Sequence, residues 1–252
     1  MYHFVIILCF IKMSETASES NNLRIIGGHD ITEGEYPFVV ILLLKILTFY
    51  FRLCTASIIT HKFILSAAHC FETAQAKNIF IWRGNFTSEP VRSELVGVRK
   101  LIIHPRYFLS RDRGLRTRND ICLLHVEEMS GVDYGRLLAV DHLTMIGLPV
   151  KYIGGGTTSK PVGDSLRPLQ VGEGAIKPCG KEDGKQIQSI CVMPKCSTVE
   201  HSPWRGDSGG PLVFEGKIVG VASYTRRYLP RSVFTAVSSY LDWINGELRK
   251  VE

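Results

Sequence analysis

Short apolar runs rich in Val, Ile, Phe and Tyr follow one another along this chain, cut apart by glycines and prolines. That rhythm constrains the fold more than any other feature. A run of about four to eight β-branched and aromatic residues between breakers reads as a strand. With 23 glycines and 11 prolines spread among such runs, the pattern favours an all-β architecture. Helical spacing shows mainly near the end, over Val237 to Leu248, where Val237, Tyr240, Leu241 and Ile244 recur on one face. A hydrophobic fraction of 45% suffices for a substantial core, and all-β double barrels often reach 252 residues as one unit.

Chemistry enters at Gly206-Asp207-Ser208-Gly209-Gly210-Pro211. A serine that attacks a carbonyl needs a sharp turn to present its oxygen. It also needs backbone N–H groups free to face a developing oxyanion, and flanking glycines leave that approach open. Taken alone, the match reads equally well as a surface turn. Two other segments supply what such a serine requires, an imidazole to take its proton and a carboxylate to orient the imidazole. Leu65-Ser66-Ala67-Ala68-His69-Cys70 places a histidine among small residues after an apolar run. Asn119-Asp120-Ile121-Cys122-Leu123-Leu124 places an aspartate at the edge of an apolar strand, where burial demands a hydrogen-bond partner.

The order His69, Asp120, Ser208 and five separate motifs together carry a resemblance. Arg24-Ile25-Ile26-Gly27-Gly28, Ala68-His69-Cys70, Asp120-Ile121, Gly206 to Pro211 and Val221-Ala222-Ser223-Tyr224 fall in sequence. From Ile25 to the C-terminus the chain resembles the trypsin/chymotrypsin family of secreted serine endopeptidases. The resemblance implies two packed six-stranded antiparallel β-barrels with a C-terminal helix, barrel one spanning about 25–135 and barrel two about 136–252. It makes His69 the general base, Asp120 its orienter and Ser208 the nucleophile. The N–H groups of Gly206 and Ser208 become the oxyanion hole, and Ser223 supports the buried aspartate and lines the substrate strand.

The N-terminus reads as targeting and processing sequence. Phe4 to Ile11 is an apolar run too short to span a bilayer. It resembles a signal-peptide core, with a small-residue cleavage site near Ala17, so 1–17 is the expected signal peptide and 18–24 the propeptide. By resemblance, cleavage after Arg24 frees the Ile25 amine to pair with the Asp207 carboxylate. The expected activating enzyme therefore cuts after arginine. Cys54–Cys70 and Cys179–Cys191 match family disulfides, which suits an oxidising compartment. Cys122, inside an apolar strand, reads as a small buried core residue. Cys196 is either a free thiol or an intermolecular partner. Asn85-Phe86-Thr87 is a glycan acceptor if its loop is exposed.

Departures from the family pattern bear on specificity. The position six residues before the serine, an aspartate in trypsins, is Ser202, so cleavage after lysine or arginine is not supported. Glu200 lies two residues off. Trp204 and the Thr225 to Pro230 segment lack the two halves of a usual disulfide, as in granzymes and mast-cell chymases. Arg205, Ser223, Tyr224, Thr225 and Ser232 are the further expected substrate-binding residues. Thr225 and Ser232 stand at wall positions that are often glycine, which favours chymotrypsin-like or elastase-like cleavage. Arg231 keeps acidic side chains as a minor option. Gly155, commonly tryptophan in the family, is unexplained.

Arg111, Arg113, Arg116 and Arg118 crowd the loop before Asp120, and Arg205, Arg226 and Arg227 lie near the opposite wall. On a chain of net charge +6 they read as a solvated basic loop. The sharper reading is steering of acidic substrate segments. No recognised motif accompanies them for nucleic acid. Phe38 to Phe51 is apolar except at Lys45 and Thr48, and reads as two core strands joined without an evident turn residue, not as a membrane span. No nucleotide loop, metal-ligand cluster or cofactor motif is present. Expected partners are protein or peptide substrates, the activating protease and serine protease inhibitors, with the chain a monomer. Two functional classes stay open: an active secreted endopeptidase, and a binding or regulatory protein on the same scaffold with an altered cleft.

Overall fold

The structure, a computed structural model, describes residues 25, 28–32, 34–109, 117–156, 166–180, 188–195, 203, 205–226 and 231–251. Six strands close the first barrel. They are β2 (Val39–Ile46), β3 (Phe49–Thr60), β4 (Phe63–Ser66), β5 (Ile79–Trp82), β6 (Leu95–Ile103) and β7 (Cys122–Val126). Around the barrel they run β2-β3-β4-β7-β6-β5, and β5 pairs back onto β2. Six more close the second: β8 (Pro149–Gly154), β9 (Gln170–Lys177), β10 (Ser189–Pro194), β11 (Pro211–Phe214), β12 (Lys217–Arg226) and β13 (Arg231–Ala236). Their order is β9-β10-β13-β12-β11-β8, with β8 pairing onto β9. Every pairing between these strands is antiparallel, as connections without long crossovers favour.

A short strand before the first barrel, β1 (His29–Asp30), pairs with β9, so the chain touches the second barrel just before it builds the first. Ile25 is 1% exposed and packs in that second core with Val150, Tyr152, Leu212 and Phe234. The strands at the junction are apolar on both faces. All of β4 is buried, and Leu123, Leu124, Val213 and Val221 belong to one continuous cluster that spans both barrels. This explains the unbroken apolar runs in their sequences, since a strand buried on both sides need not alternate.

The run from Phe38 to Phe51 forms the expected two strands, but only their first half is core. Val39 to Leu43 is buried, whereas Ile46, Leu47 and Phe49 are more than half exposed at the tip. Ile46 pairs with Phe49, leaving Leu47 and Thr48 as a two-residue turn. Such turns need positive φ, and Leu47 adopts +56° without the glycine or asparagine that favours it. At the other end of the chain, Val237–Tyr240 is a 3-10 turn that leads into α1 (Leu241–Leu248), so regular helix begins four residues later than the spacing suggested. Tight turns of this kind are common at helix N-termini. Among the described residues no helix is long and apolar enough to cross a membrane.

Candidate active site

His69 follows directly from β4. The small side chains of Ala67 and Ala68 let the chain turn sharply into a 3-10 segment, Ala68–Phe71. Cys70 in that segment is joined to Cys54 in β3, which staples the histidine to the barrel. Asp120 precedes β7 and is 2% exposed. Asn119 before it takes φ +50°, a left-handed conformation that asparagine tolerates well. Thr235 Oγ1 donates to the Asp120 carbonyl at 3.0 Å, tying this bend to β13.

Three donors converge on the Asp120 carboxylate. The His69 backbone N–H donates to Oδ1 at 2.9 Å, His69 Nδ1 lies 2.7 Å from Oδ2, and Ser223 Oγ also donates to Oδ2. A carboxylate only accepts, so the proton of this contact belongs to Nδ1, and Nε2 keeps the lone pair of the neutral ring. Burial draws the His69 pKa down. The hydrogen bond and charge of Asp120, with a smaller field from Glu72, outweigh burial and leave it above the ordinary histidine value. Cys122, fully buried beside this pair, donates to the Ala67 carbonyl. Burial first and the Asp120 charge second push its pKa well up, so it stays a thiol.

Ser208 lies on the turn between Arg205 and β11. Gly206 and Gly209 take φ +91° and +81°, and these left-handed residues fold the turn back on itself. A Cβ at Gly209 would stand 2.1 Å from Ser66 Oγ and 2.4 Å from the Thr55 carbonyl, so only glycine lets the turn pack against the stretch that leads to His69. Asp207 is 2% exposed, and its Oδ1 accepts from Gly156 N at 2.8 Å. The Arg205 carbonyl oxygen lies close to Gly156, 2.5 Å from where a Cβ would be.

A cavity of about 260 Å³ opens beside Ser208. Arg205, Ser223, Tyr224, Thr225 and Ser232, expected at the substrate site, all line it, with Ser208, Pro203, Ala222 and Val233. Thr225 and Ser232 are direct cross-strand partners of β12 and β13, so their side chains flank the cavity together. No carboxylate stands among its described lining residues. Ser223 joins the two halves of the site, because it lines the cavity and donates to Asp120. Cys179 and Cys191 form the second expected disulfide. Arg24, Arg111, Arg113, Arg116, Cys196, Glu200, Ser202, Trp204 and Arg227 lie outside the described residues.

Asn85 is exposed, and its Oδ1 accepts from Thr87 N and Thr87 Oγ1 at 2.9 and 2.6 Å. Among the described residues one group has metal-holding proximity, Cys54, His69 and Cys70. Its two sulfurs are joined as a disulfide, so neither offers the thiolate a metal requires. Sequence reasoning missed Thr55, which is fully buried and makes three hydrogen bonds to backbone groups around Ser208, at Gly155, Gly206 and Ser208 itself. The available signal was a hydroxyl inside a strand, at Cys54-Thr55-Ala56, which calls for a partner once buried.

Comparison with known proteins gives the arrangement its lineage. Residues 25–244 match the family described as Trypsin. Chymase of Mus musculus is 30% identical over 236 residues, covering 90% of this chain and 92% of that protein. Granzyme B of Rattus norvegicus is 29% identical, covering 90% and 92%. A solved structure of HL collagenase superposes with a TM-score of 0.72 over 89% of this chain and 98% of that one, at 24% identity, a likeness of fold. With the double barrel and the His69–Asp120 geometry beside these matches, the chain belongs to the trypsin family of serine endopeptidases.

Proposed function

We propose that this chain is a secreted endopeptidase, made as a precursor, that hydrolyses peptide bonds through an acyl-enzyme on Ser208. Ser208 Oγ attacks the scissile carbonyl carbon while His69 Nε2 takes its proton. The resulting oxyanion accepts from the N–H groups of Gly206 and Ser208. The carbon–nitrogen bond then breaks as His69 returns the proton to the leaving amine. Water repeats the cycle, releasing the acid and restoring the serine. One observation carries the reading: a buried carboxylate fixes the His69 tautomer from one side and, through Ser223, borders the cavity that Ser208 lines.

Activation follows the same logic. The Ile25 side chain is buried in the second core, yet in the uncut chain its nitrogen is an uncharged amide. Cleavage after Arg24 creates an ammonium group for Asp207, and a buried carboxylate gains most from a counter-charge. That pairing would order the turn that carries the Gly206 and Ser208 N–H groups. Disulfides and an exposed Asn85 sequon are consistent with export.

The cavity favours an uncharged side chain before the scissile bond. Thr225 and Ser232 narrow it from both strands, and no described carboxylate stands ready for lysine or arginine. This supports a chymotrypsin- or elastase-like preference. Labelling with a fluorophosphonate after cleavage at Ile25 tests the chemistry: label is expected on the wild type and absent from Ser208→Ala. A correctly cleaved wild type that takes no label would instead make the chain a binding protein on this scaffold. A peptide-library profile then reads the preference, and cleavage after lysine or arginine would contradict it.

A further inference from the structure

We infer that Thr55 is a positioning residue for the turn that presents the Gly206 and Ser208 N–H groups, an inference that rests on Ser208 being the nucleophile. Thr55 belongs to β3 of the first barrel, whereas the turn belongs to the second. Its side chain is fully buried, and its hydroxyl is used both ways. Oγ1 donates to the Gly206 carbonyl at 2.8 Å and accepts from Gly155 N at 2.9 Å. Its backbone N–H donates to the Ser208 carbonyl at 2.9 Å. One residue thus holds the carbonyls on both sides of Asp207. Its own carbonyl accepts from Ser66 Oγ, three residues before His69.

Arg52 completes the hold. The register of β2 and β3 shifts between Leu42–Cys54 and Leu43–Arg52, so Leu53 is an extra, bulged residue. A bulge of this kind brings Arg52 and Thr55 to the same face of the strand. Arg52 Nη1 donates to the Gly155 carbonyl at 2.8 Å while Thr55 takes the Gly155 N–H. Gly155 packs without a side chain, since a Cβ there would lie 2.8 Å from both Ile41 and Leu169. Its neighbour Gly156 faces the Arg205 carbonyl and donates to Asp207. The carbonyls of Gly206 and Ser208 are therefore tied to β3 through Thr55, and the Asp207 carboxylate between them is tied to Gly156, next to the Gly155 that Thr55 and Arg52 hold. An oxyanion donor works only when it is aimed before charge develops, so a rigid reference acts on the transition state more than on substrate binding.

Thr55→Val, measured on enzyme cleaved at Ile25, keeps the shape and removes the hydroxyl. The expected result is a kcat about 10- to 100-fold lower with KM within about twofold of wild type. Inhibition by a peptidyl aldehyde, whose hemiacetal oxygen stands where the oxyanion forms, weakens in parallel. Thr55→Ser restores kcat to within about threefold, because the hydroxyl returns. Thr55→Gly, which retains the backbone bond to Ser208, provides the same test should the valine variant not fold, and is expected to lose kcat likewise. Wild-type kcat and aldehyde affinity in a folded Val or Gly variant would overturn the inference. So would a serine variant as impaired as valine, since packing of the methyl would then be the cause. A wild-type enzyme that takes no fluorophosphonate defeats the nucleophile reading itself, an outcome distinct from both.

Discussion

At Asp120 one buried oxygen pair gathers the hydrogen bonds on which the proposed chemistry depends. Its Oδ2 holds His69 Nδ1 and Ser223 Oγ, and its Oδ1 holds the His69 backbone. Replacing it by asparagine puts an amide where an acceptor is needed and favours the wrong imidazole tautomer. Asp120→Asn should lower kcat by about 10⁴-fold with the fold retained. The same contact sets a pH dependence. In the proposed mechanism His69 must be neutral to accept the serine proton, and its folded pKa lies above the ordinary 6.5. The acid limb of kcat/KM should therefore fall above pH 6.5, and Asp120→Asn should move what activity remains towards lower pH. Stability has the opposite sign. Protonated His69 favours the folded state below its unfolded pKa, and that contribution disappears as pH rises through the folded value. Denaturation midpoints set against rate profiles test both limbs. Asp120 was legible from its place at the edge of an apolar run. Thr55 was not, because its partners Gly206 and Gly155 lie 151 and 100 residues away, and no local pattern connects them.

The β2–β3 hairpin shows where strand reading succeeds and where it stops. Its strands follow from apolar runs, and Val39 to Leu43 are buried as expected. The two-residue turn was invisible because Leu47 and Thr48 are not turn formers, and only the Ile46–Phe49 register requires positive φ there. A non-glycine residue in the left-handed region costs about 1–2 kcal/mol. Leu47 is also 86% exposed, so no packing offsets that strain. Leu47→Asn should raise Tm by about 1–4 °C in thermal unfolding, since asparagine tolerates this conformation and the domain is large. An unchanged or lower Tm would mean that the turn is not strained. The disulfide that leaves the middle of β3 acts on the unfolded chain. Cys54 and Cys70 are 16 residues apart, a loop whose closure contributes about 3 kcal/mol. Replacing both by serine should lower stability by about that amount in denaturant titration and loosen the His69 segment.

Neither barrel holds the site alone. His69, Asp120 and Thr55 come from the first, and Gly206, Ser208, Ser223 and the cavity walls come from the second. The motifs gave the order of these parts along the chain. Their meeting at the junction follows from apolar surfaces on both barrels that form a single cluster. A cleft between two bodies is also where the field of the whole molecule concentrates. The chain carries net charge +6, and the arginines at 111, 113, 116 and 118 precede Asp120 in sequence. Low-dielectric walls focus such a field and draw oppositely charged segments towards the cleft. Peptides with acidic residues flanking the scissile bond should then be cleaved with a kcat/KM that falls as salt rises. The Debye length shrinks from about 30 Å at 0.01 M to about 3 Å at 1 M, which covers the range over which steering acts. Peptides with neutral flanks should hold the same rate across that range. Replacing the four arginines by glutamine should flatten the acidic-peptide curve while leaving the neutral-peptide rate in place. If the acidic peptides respond to salt no more than the neutral ones, the arginines are a solvated rim and the cleft selects by shape alone.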